Sequence, residues 1–184
     1  SKCGLFDVSH MGEFIVSGNN AKTFLQNVTT NDIQKLEAGK VQYSAFCNDS
    51  GGVIDDLLVY HLGDCYMLVV NASNIEKNFE WLSSKLIDDV SLEDKSDSIS
   101  LLALQGPLSR THLKKLYPKI EDLKYYETLL PDNNEVIVAR TGYSGELGFE
   151  IYAPNSIILK LWNEILSLSD DILPAVSYTH LRAH

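Results

Sequence analysis

The stretch GGVIDDLLVY, residues 51–60, decides the fold because a turn signal is followed there by an apolar run. The apolar residues predict a strand that is buried on both faces. Side chains alternate along a strand, so Asp55 and Asp56 are predicted to point to opposite faces and not to act as a catalytic pair. An ionised carboxylate on a dry face is costly unless it is paired. One of the two aspartates is therefore predicted to line a ligand cavity, and the other is predicted to accept hydrogen bonds from a turn or from backbone amides.

Strands, helices and turns extend outward from this stretch in a regular order. Strands are predicted over 5–17, 41–48, 52–62, 65–71, 100–106, 123–129, 135–140 and 148–154. Helices are predicted over 21–28, 72–86, from Pro107 onward and over 155–166. Short hairpins with helices on one face predict an α+β fold of two consecutive antiparallel-sheet units, each ferredoxin-like. We expect the first unit at 1–96, an acidic connector at 87–99 and the second unit at 97–175.

The two ends of the chain depart from this pattern. The last residues, VSYTHLRAH at 176–184, resemble the translation of a transposase sequencing adapter and are predicted to be a non-native tail. The chain also begins without Met, in what reads as an ongoing strand. We therefore expect a fragment that is truncated at both ends.

Composition and charge exclude several classes of function. The formal net charge is −10, which argues against binding a nucleic-acid backbone or an anionic membrane surface. No apolar run approaches the roughly 18 residues that a membrane helix needs. Cys3, Cys47 and Cys65 contain no CxxC pair, so free thiols are expected and a zinc site is not.

The segment RTGYSGELGFE, residues 140–150, holds three glycines at a spacing of three. It does not match a dinucleotide fingerprint, because these glycines join two strands and not a strand and a helix. Two readings stay open: a glycine-rich hairpin loop, or a backbone that approaches a ligand beside Tyr143 and Glu150. Tyr125 and Tyr126 are likewise either core aromatics or a wall for a flat ligand.

Several motifs together resemble the aminomethyltransferase family, the T-proteins of the glycine cleavage system. The resemblance runs in order from about residue 4 to Ala175, through GLFDVSHMGE, TTND, YSAFCNDSGGVIDDLLVY, VVNASN, ALQGP and RTGYSGELGFE. It implies an enzyme with the folate-binding aminomethyltransferase fold. The implied reaction takes an aminomethyl group from the lipoyl arm of the H-protein, releases ammonia and passes the one-carbon unit to tetrahydrofolate, with no metal.

The resemblance also implies roles for particular residues. Asp56 matches the catalytic aspartate of the family, and Glu150 matches its pterin-binding glutamate. The other implied folate-binding positions are Tyr43, Asn71, Tyr125, Tyr143, Val69 and Met11. The implied partners are the lipoylated H-protein and the other glycine cleavage components, in the cytoplasm of a bacterium or the mitochondrion of a eukaryote.

Alternatives within and beyond this family stay open. One is the folate-binding domain of a sarcosine or dimethylglycine dehydrogenase, or of a folate-dependent demethylase. Another is a non-enzymatic folate-binding scaffold of the tRNA-maturation type, although Arg140–Tyr143 stands where that group carries Lys-Gly-Cys-Tyr. The family's later arginine-containing segment and final β domain have no counterpart here, so we expect this chain to be incomplete and inactive by itself.

Overall fold

The computed structural model describes residues 3–131 and 135–176. The chain divides into two compact units. We call His10–Asp97 the central unit, and the described residues before and after it the terminal unit. The strands are β1 (Cys3–Asp7), β2 (Gly12–Ser17), β3 (Val41–Cys47), β4 (Val53–His61), β5 (Tyr66–Val70), β6 (Ser91–Asp94), β7 (Ile99–Gln105), β8 (Thr128–Leu129), β9 (Ile137–Ala139), β10 (Gly148–Pro154) and β11 (Ile172–Ala175). The α-helices are α1 (Ala21–Val28), α2 (Ile75–Ser84), α3 (Ser109–Leu113) and α4 (Asn155–Ser167), with 3-10 turns at Ile33–Lys35, Ala72–Asn74 and Pro118–Asp122.

The central unit is an antiparallel sheet in the order β3-β4-β5-β2-β6. Strands β4, β5, β2 and β6 with helices α1 and α2 reproduce the ferredoxin-like order, and β3 adds an edge strand. Apolar side chains of both helices pack against one face of this sheet, where Phe24 and Leu82 meet Phe14, Leu57 and Leu68. The opposite face of the sheet carries Asp56.

The terminal unit holds a second sheet in the order β11-β1-β7-β10-β9-β8. Its pairs are antiparallel except for β1 and β11, which run parallel. The ferredoxin-like order is again present, but β1 lies between β7 and β11, and β8 extends the other edge. The core of this unit joins side chains of β7 and β10 to those of α3 and α4, including Leu104, Phe149, Leu113 and Leu161.

The predicted α+β class with helices packed on antiparallel sheets is confirmed, while the division of the chain differs from the expected 1–96 and 97–175. The first strand pairs with β7, so residues before His10 belong with the terminal unit. The predicted strand over 5–17 is therefore two strands in two different sheets. Asp7 separates them, because its Oδ1 accepts the backbone N–H of Ser9 at 3.0 Å and turns the chain.

Two further segments differ from the sequence prediction. The connector at 87–99 contains β6, which pairs with β2 and closes one edge of the central sheet. The predicted strand at 123–129 is reduced to β8, because Tyr126 has a φ of 62° and bends the backbone out of the sheet. The predicted tail at 176–184 lies outside the described residues except for Val176.

Candidate functional site

The two aspartates lie at the less buried end of β4. Burial on both faces holds only for Leu57–Tyr60, whereas Val53 is 69% exposed and Asp55 and Asp56 are half-buried. The pairing of β3 with β4 shifts register next to Cys47, because Phe46 pairs with Asp55 and Cys47 pairs with Val53, which leaves a bulge in this end of β4. The prediction of a strand buried throughout was therefore wrong for its first half, where the strand end leaves the aspartates accessible.

Asp56 is held by two donors. Nδ2 of Asn71 donates to its Oδ1 at 2.6 Å, and the hydroxyl of Tyr43 donates to its Oδ2 at 2.7 Å. Asn71 directly follows β5, next to the pair Leu57–Val70, so it lies opposite Asp56. Donation to Asp56 and the negative charge of that carboxylate raise the pKa of Tyr43. Three of the predicted site residues thus meet at one carboxylate.

Asp55 points toward the helices and is also held by amides. Its Oδ2 accepts from Nδ2 of Asn78 on α2 at 2.6 Å, and its Oδ1 accepts from Nδ2 of Asn71 at 2.9 Å. Burial pushes the pKa of Asp55 upward, but the hydrogen bonds from Asn78, Asn71 and Asn74 outweigh it, so the pKa lies below its usual value. The predicted acceptor role is present, with side-chain amides as donors.

Val69 and Met11 are the remaining predicted positions in the central unit. Val69 is buried in β5 and pairs with Leu58 of β4 on one side and with Glu13 of β2 on the other. Met11 is half-buried and directly precedes β2. Leu58 and Asp56 are two residues apart in β4, so their side chains point to the same face of the sheet. Val69, which pairs with Leu58, therefore shares that face with Asp56.

Glu13 is a buried carboxyl group that the sequence analysis did not single out. It is 0% exposed, and neither carboxyl oxygen has a hydrogen-bond partner among the described residues. Burial, and secondarily the charge of Asp94, raises the pKa of Glu13 to about 8. Alternation along β2 places Glu13 on the sheet face opposite Phe14 and Val16, which pack against the helices. The sequence pattern therefore predicts an accessible acid, and the burial of that second face is a tertiary property.

The terminal unit contains a cavity of about 340 Å³ at the glycine-rich loop, a size typical of small-molecule sites. It is lined by Tyr125, Arg140, Thr141, Gly142, Gly145, Glu146, Leu147 and Gly148. Tyr125 is 59% exposed and contacts Tyr126 edge-on at 4.4 Å between ring centroids. Tyr125 therefore lies in the wall of a cavity and is not a core residue.

Gln105, which the sequence analysis missed, explains why this loop needs its glycines. The side chain of Gln105 accepts from the Ser144 hydroxyl at 2.7 Å and lies directly against the loop backbone. A Cβ at Gly148 would lie 2.0 Å from its Oε1, and one at Gly142 would lie 2.5 Å away. The glycines therefore let the loop fold over a buried amide at the end of β7.

Glu150 lies in β10 beneath this loop and is 5% exposed. Its Oε2 accepts from the hydroxyl of Thr141, a residue of the cavity wall, at 2.5 Å and from the hydroxyl of Tyr152 at 3.4 Å. Tyr143 is 74% exposed in the loop. Tyr125 is thus the predicted residue that lines the cavity, while Glu150 is linked to it through Thr141.

Residues 3–131 and 135–176 contain no group of three or more His, Cys, Asp and Glu side chains arranged to hold a metal ion. The three cysteines are free. Within the same ranges, no helix has the length and hydropathy needed to cross a membrane.

Comparison with known proteins gives consistent matches. The family model for the GCVT N-terminal domain matches residues 1–178. An aminomethyltransferase from Chloroherpeton thalassium is 49% identical over 168 residues, which are 89% of this chain and 46% of that protein. The glycine cleavage system aminomethyltransferase T from Bartonella henselae aligns with a TM-score of 0.88 at 30% identity, over 95% of this chain and 48% of that one.

A more distant likeness concerns the fold alone. The heterotetrameric sarcosine oxidase from Corynebacterium sp. U-96 aligns with a TM-score of 0.65 at 18% identity, over 90% of this chain and 83% of the matched chain. The chain spans about half the length of the aminomethyltransferases that it matches.

Proposed function

The chain belongs to the GCVT N-terminal domain family, and on that premise we propose that it is the tetrahydrofolate-binding part of an aminomethyltransferase of glycine cleavage. The observation that carries the proposal is the Asp56 carboxylate, held by Asn71 and Tyr43 on the sheet face away from the helices. The proposed reaction passes the one-carbon unit of an aminomethyl-lipoyl H-protein to tetrahydrofolate and gives methylenetetrahydrofolate. The C–S and C–NH2 bonds break, and the two protons lost by the folate nitrogens leave on the lipoyl thiol and on ammonia.

Asp56 is the proposed catalytic residue. Tetrahydrofolate supplies the nitrogen that attacks the carbon of the aminomethyl group. Oδ1 of Asp56 accepts from Asn71, and Oδ2 accepts from the half-exposed Tyr43 and keeps a second lone pair, with which it is proposed to face a ligand. In this arrangement the Asp56 carboxylate accepts the proton that the attacking folate nitrogen loses. The hydrogen bonds from Asn71 and Tyr43 hold the carboxylate in the orientation that this proton transfer needs.

The remaining predicted residues are proposed to bind folate. Glu150 offers a carboxylate that accepts parallel hydrogen bonds from the amino and ring N–H groups of a pterin. Tyr125 and Tyr143 present exposed rings for stacking against a flat ligand. The other positions for which the resemblance implies a folate-binding role, all in the central unit, are Tyr43, Asn71, Val69 and Met11.

Substitution Asp56→Asn tests the catalytic assignment in a full-length protein that carries this sequence. The amide keeps the size of the side chain but cannot take a proton at neutral pH, so we expect aminomethyl transfer to fall by at least ~100-fold. Tetrahydrofolate affinity, measured by titration calorimetry, should change by less than ~3-fold, since the substitution removes a transition-state role.

The matched control is Asp49→Asn in the same hairpin, where the carboxylate is 95% exposed and pairs only with Lys85 among the described residues. It should leave turnover unchanged. Near-normal transfer by Asp56→Asn would contradict the catalytic role. Transfer at an equal rate from an H-protein that lacks its lipoyl group would contradict the proposed donor.

A further inference from the structure

Asn71 connects the two aspartates through one amide group. Its Nδ2 lies 2.9 Å from Oδ1 of Asp55 and 2.6 Å from Oδ1 of Asp56. A side-chain amide carries two N–H hydrogens, so each carboxylate receives one. The orientation of Asn71 is therefore set by both acceptors, and the position of Oδ1 of Asp56 depends on that orientation.

Asp55 is in turn fixed from the helix side. Nδ2 of Asn78, a residue that is 0% exposed, donates to its Oδ2 at 2.6 Å, and Asn74 donates to it as well. A continuous series of charge-assisted hydrogen bonds thus runs from Asn78 through Asp55 and Asn71 to Asp56. Such bonds are about twice as strong as bonds between neutral groups, so the series is a stiff support for its last member.

We propose that Asp55 is a positioning residue for the aminomethyl transfer, and that it acts on Asp56 through Asn71. This inference rests on the proposed function of Asp56. Without the Asp55 carboxylate, one hydrogen of Asn71 keeps only the backbone oxygen of Asp56, at 3.4 Å, as its acceptor, and the amide turns away from the geometry that holds Oδ1 of Asp56. A small displacement of a reacting group costs up to ~100-fold in rate, so a residue that never touches the substrate limits the turnover.

A double-mutant cycle in the full-length protein tests the route of the effect. Asp55→Asn and Asn71→Ala should each lower kcat by ~10-fold to 100-fold, and Asp55→Asn, which removes no proposed folate contact, should change the KM for tetrahydrofolate by less than ~3-fold. In the Asn71→Ala background, the further substitution Asp55→Asn should lower kcat by less than ~2-fold, because its connection to Asp56 is already lost. An equal loss in both backgrounds, or no loss in either, would overturn the proposal.

The exchange Asp55→Asn with Asn71→Asp separates positioning from folding. An amide at position 55 can accept from Asn78 and donate to the new carboxylate at 71, but that carboxylate replaces the donor that lies 2.6 Å from Oδ1 of Asp56. The exchanged protein should therefore recover only part of the unfolding midpoint that Asp55→Asn loses, because the carboxylates at 71 and 56 repel each other. It should not recover kcat, since position 71 no longer donates to Asp56. Recovery of kcat together with stability would mean that Asp55 has only a structural role, and the proposal would fail.

Asp56→Asn, measured alongside, keeps the two hypotheses apart. If this variant retains turnover, the catalytic role of Asp56 is wrong. If it loses turnover while Asp55→Asn does not, only the positioning role is wrong. Asp49→Asn again serves as the control for the removal of one negative charge.

Discussion

Asp55 and Glu13 are two carboxyl groups in one sheet with opposite electrostatic outcomes. Both lose hydration, and in both cases burial pushes the pKa upward. Asp55 receives amide hydrogen bonds from Asn78 and Asn71, and its pKa falls below the usual value. Glu13 receives no hydrogen bond from the described residues, and its pKa rises to about 8.

The two groups differ in depth of burial, which is complete for Glu13 and partial for Asp55, and in their hydrogen-bond donors, and both differences act in the same direction on the pKa. At neutral pH Asp55 is a carboxylate and Glu13 is a neutral acid. The neutral acid costs stability, because the unfolded chain would release its proton. The Asp55 carboxylate, which is paired with amide donors, does not lower stability in this way, and it can support the neighbouring charged Asp56. The following changes test each side of this contrast, from the largest expected effect to the smallest.

Glu13→Gln should give the largest change in stability. The pKa of Glu13 is about 8 in the folded chain against a usual value of 4.5, so the folded state retains a proton that the unfolded state loses between these values. Stability therefore falls as the pH rises from about 4.5 to about 8. Removing the acid should raise the free energy of unfolding by about 3 kcal/mol at pH 7 and by little at pH 4.

Urea unfolding of the chain across this pH range measures the effect. Glu93→Gln in the neighbouring strand β6 is the control, because Glu93 is half-exposed and pairs with Lys95 at 2.6 Å. Glu93→Gln should change the free energy of unfolding by no more than about 0.5 kcal/mol, as is usual for surface substitutions. A parallel pH dependence in the wild type and in Glu13→Gln would show that Glu13 is already ionised when folded.

Asn78→Ala should lower the stability of the chain, because it removes a donor from the Asp55 carboxylate. It removes the donor at 2.6 Å from Asp55, and hydrogen bonds to charged groups contribute about 1.5–3 kcal/mol. A lowered pKa means that the stabilising contribution is present above the usual value of 3.8 and is lost as the pH falls through the folded pKa. The destabilisation should therefore be about 2 kcal/mol at pH 7 and should shrink below pH 3.8.

Asn19→Ala is the matched control for this change. Nδ2 of Asn19 donates to Oδ2 of Asp89 at 2.7 Å, but this pair is exposed. Its loss should cost no more than about 0.5 kcal/mol. Equal losses at the two sites would show that burial of the Asp55 carboxylate adds nothing to the value of its donors.

Tyr43→Phe should have the smallest effect on stability. The phenol is 48% exposed, so water replaces the hydrogen bond that its hydroxyl donates to Asp56. The free energy of unfolding should change by less than about 0.5 kcal/mol in thermal or urea unfolding of the chain. A loss as large as that of Asn78→Ala would show that water does not replace the hydrogen bond from Tyr43 to Asp56.

Much of this molecule could be predicted from local sequence patterns. Alternation and turn signals located β3, β4, β5 and β10 to within a residue or two, and they placed Asp55 and Asp56 on opposite faces. The same reasoning failed where distant segments decide the outcome. Strand β1 joins β7, about a hundred residues later in the chain, and β6 lies in a stretch too polar to be read as a strand.

The residues of the candidate site also fall into those that the sequence indicated and those that only the structure revealed. The residue types and the turn chemistry pointed to the pair Asp55 and Asp56 and to the glycine loop, because both are contiguous in the sequence, and the family resemblance then selected Asp56. Only the tertiary structure put Asn71 between two carboxylates 15 and 16 residues away, set Gln105 against a loop 36 to 39 residues later, and left Glu13 buried without a partner. Periodicity is a property of neighbours along the chain, whereas desolvation and hydrogen-bond partners are properties of whatever the fold brings to the same place.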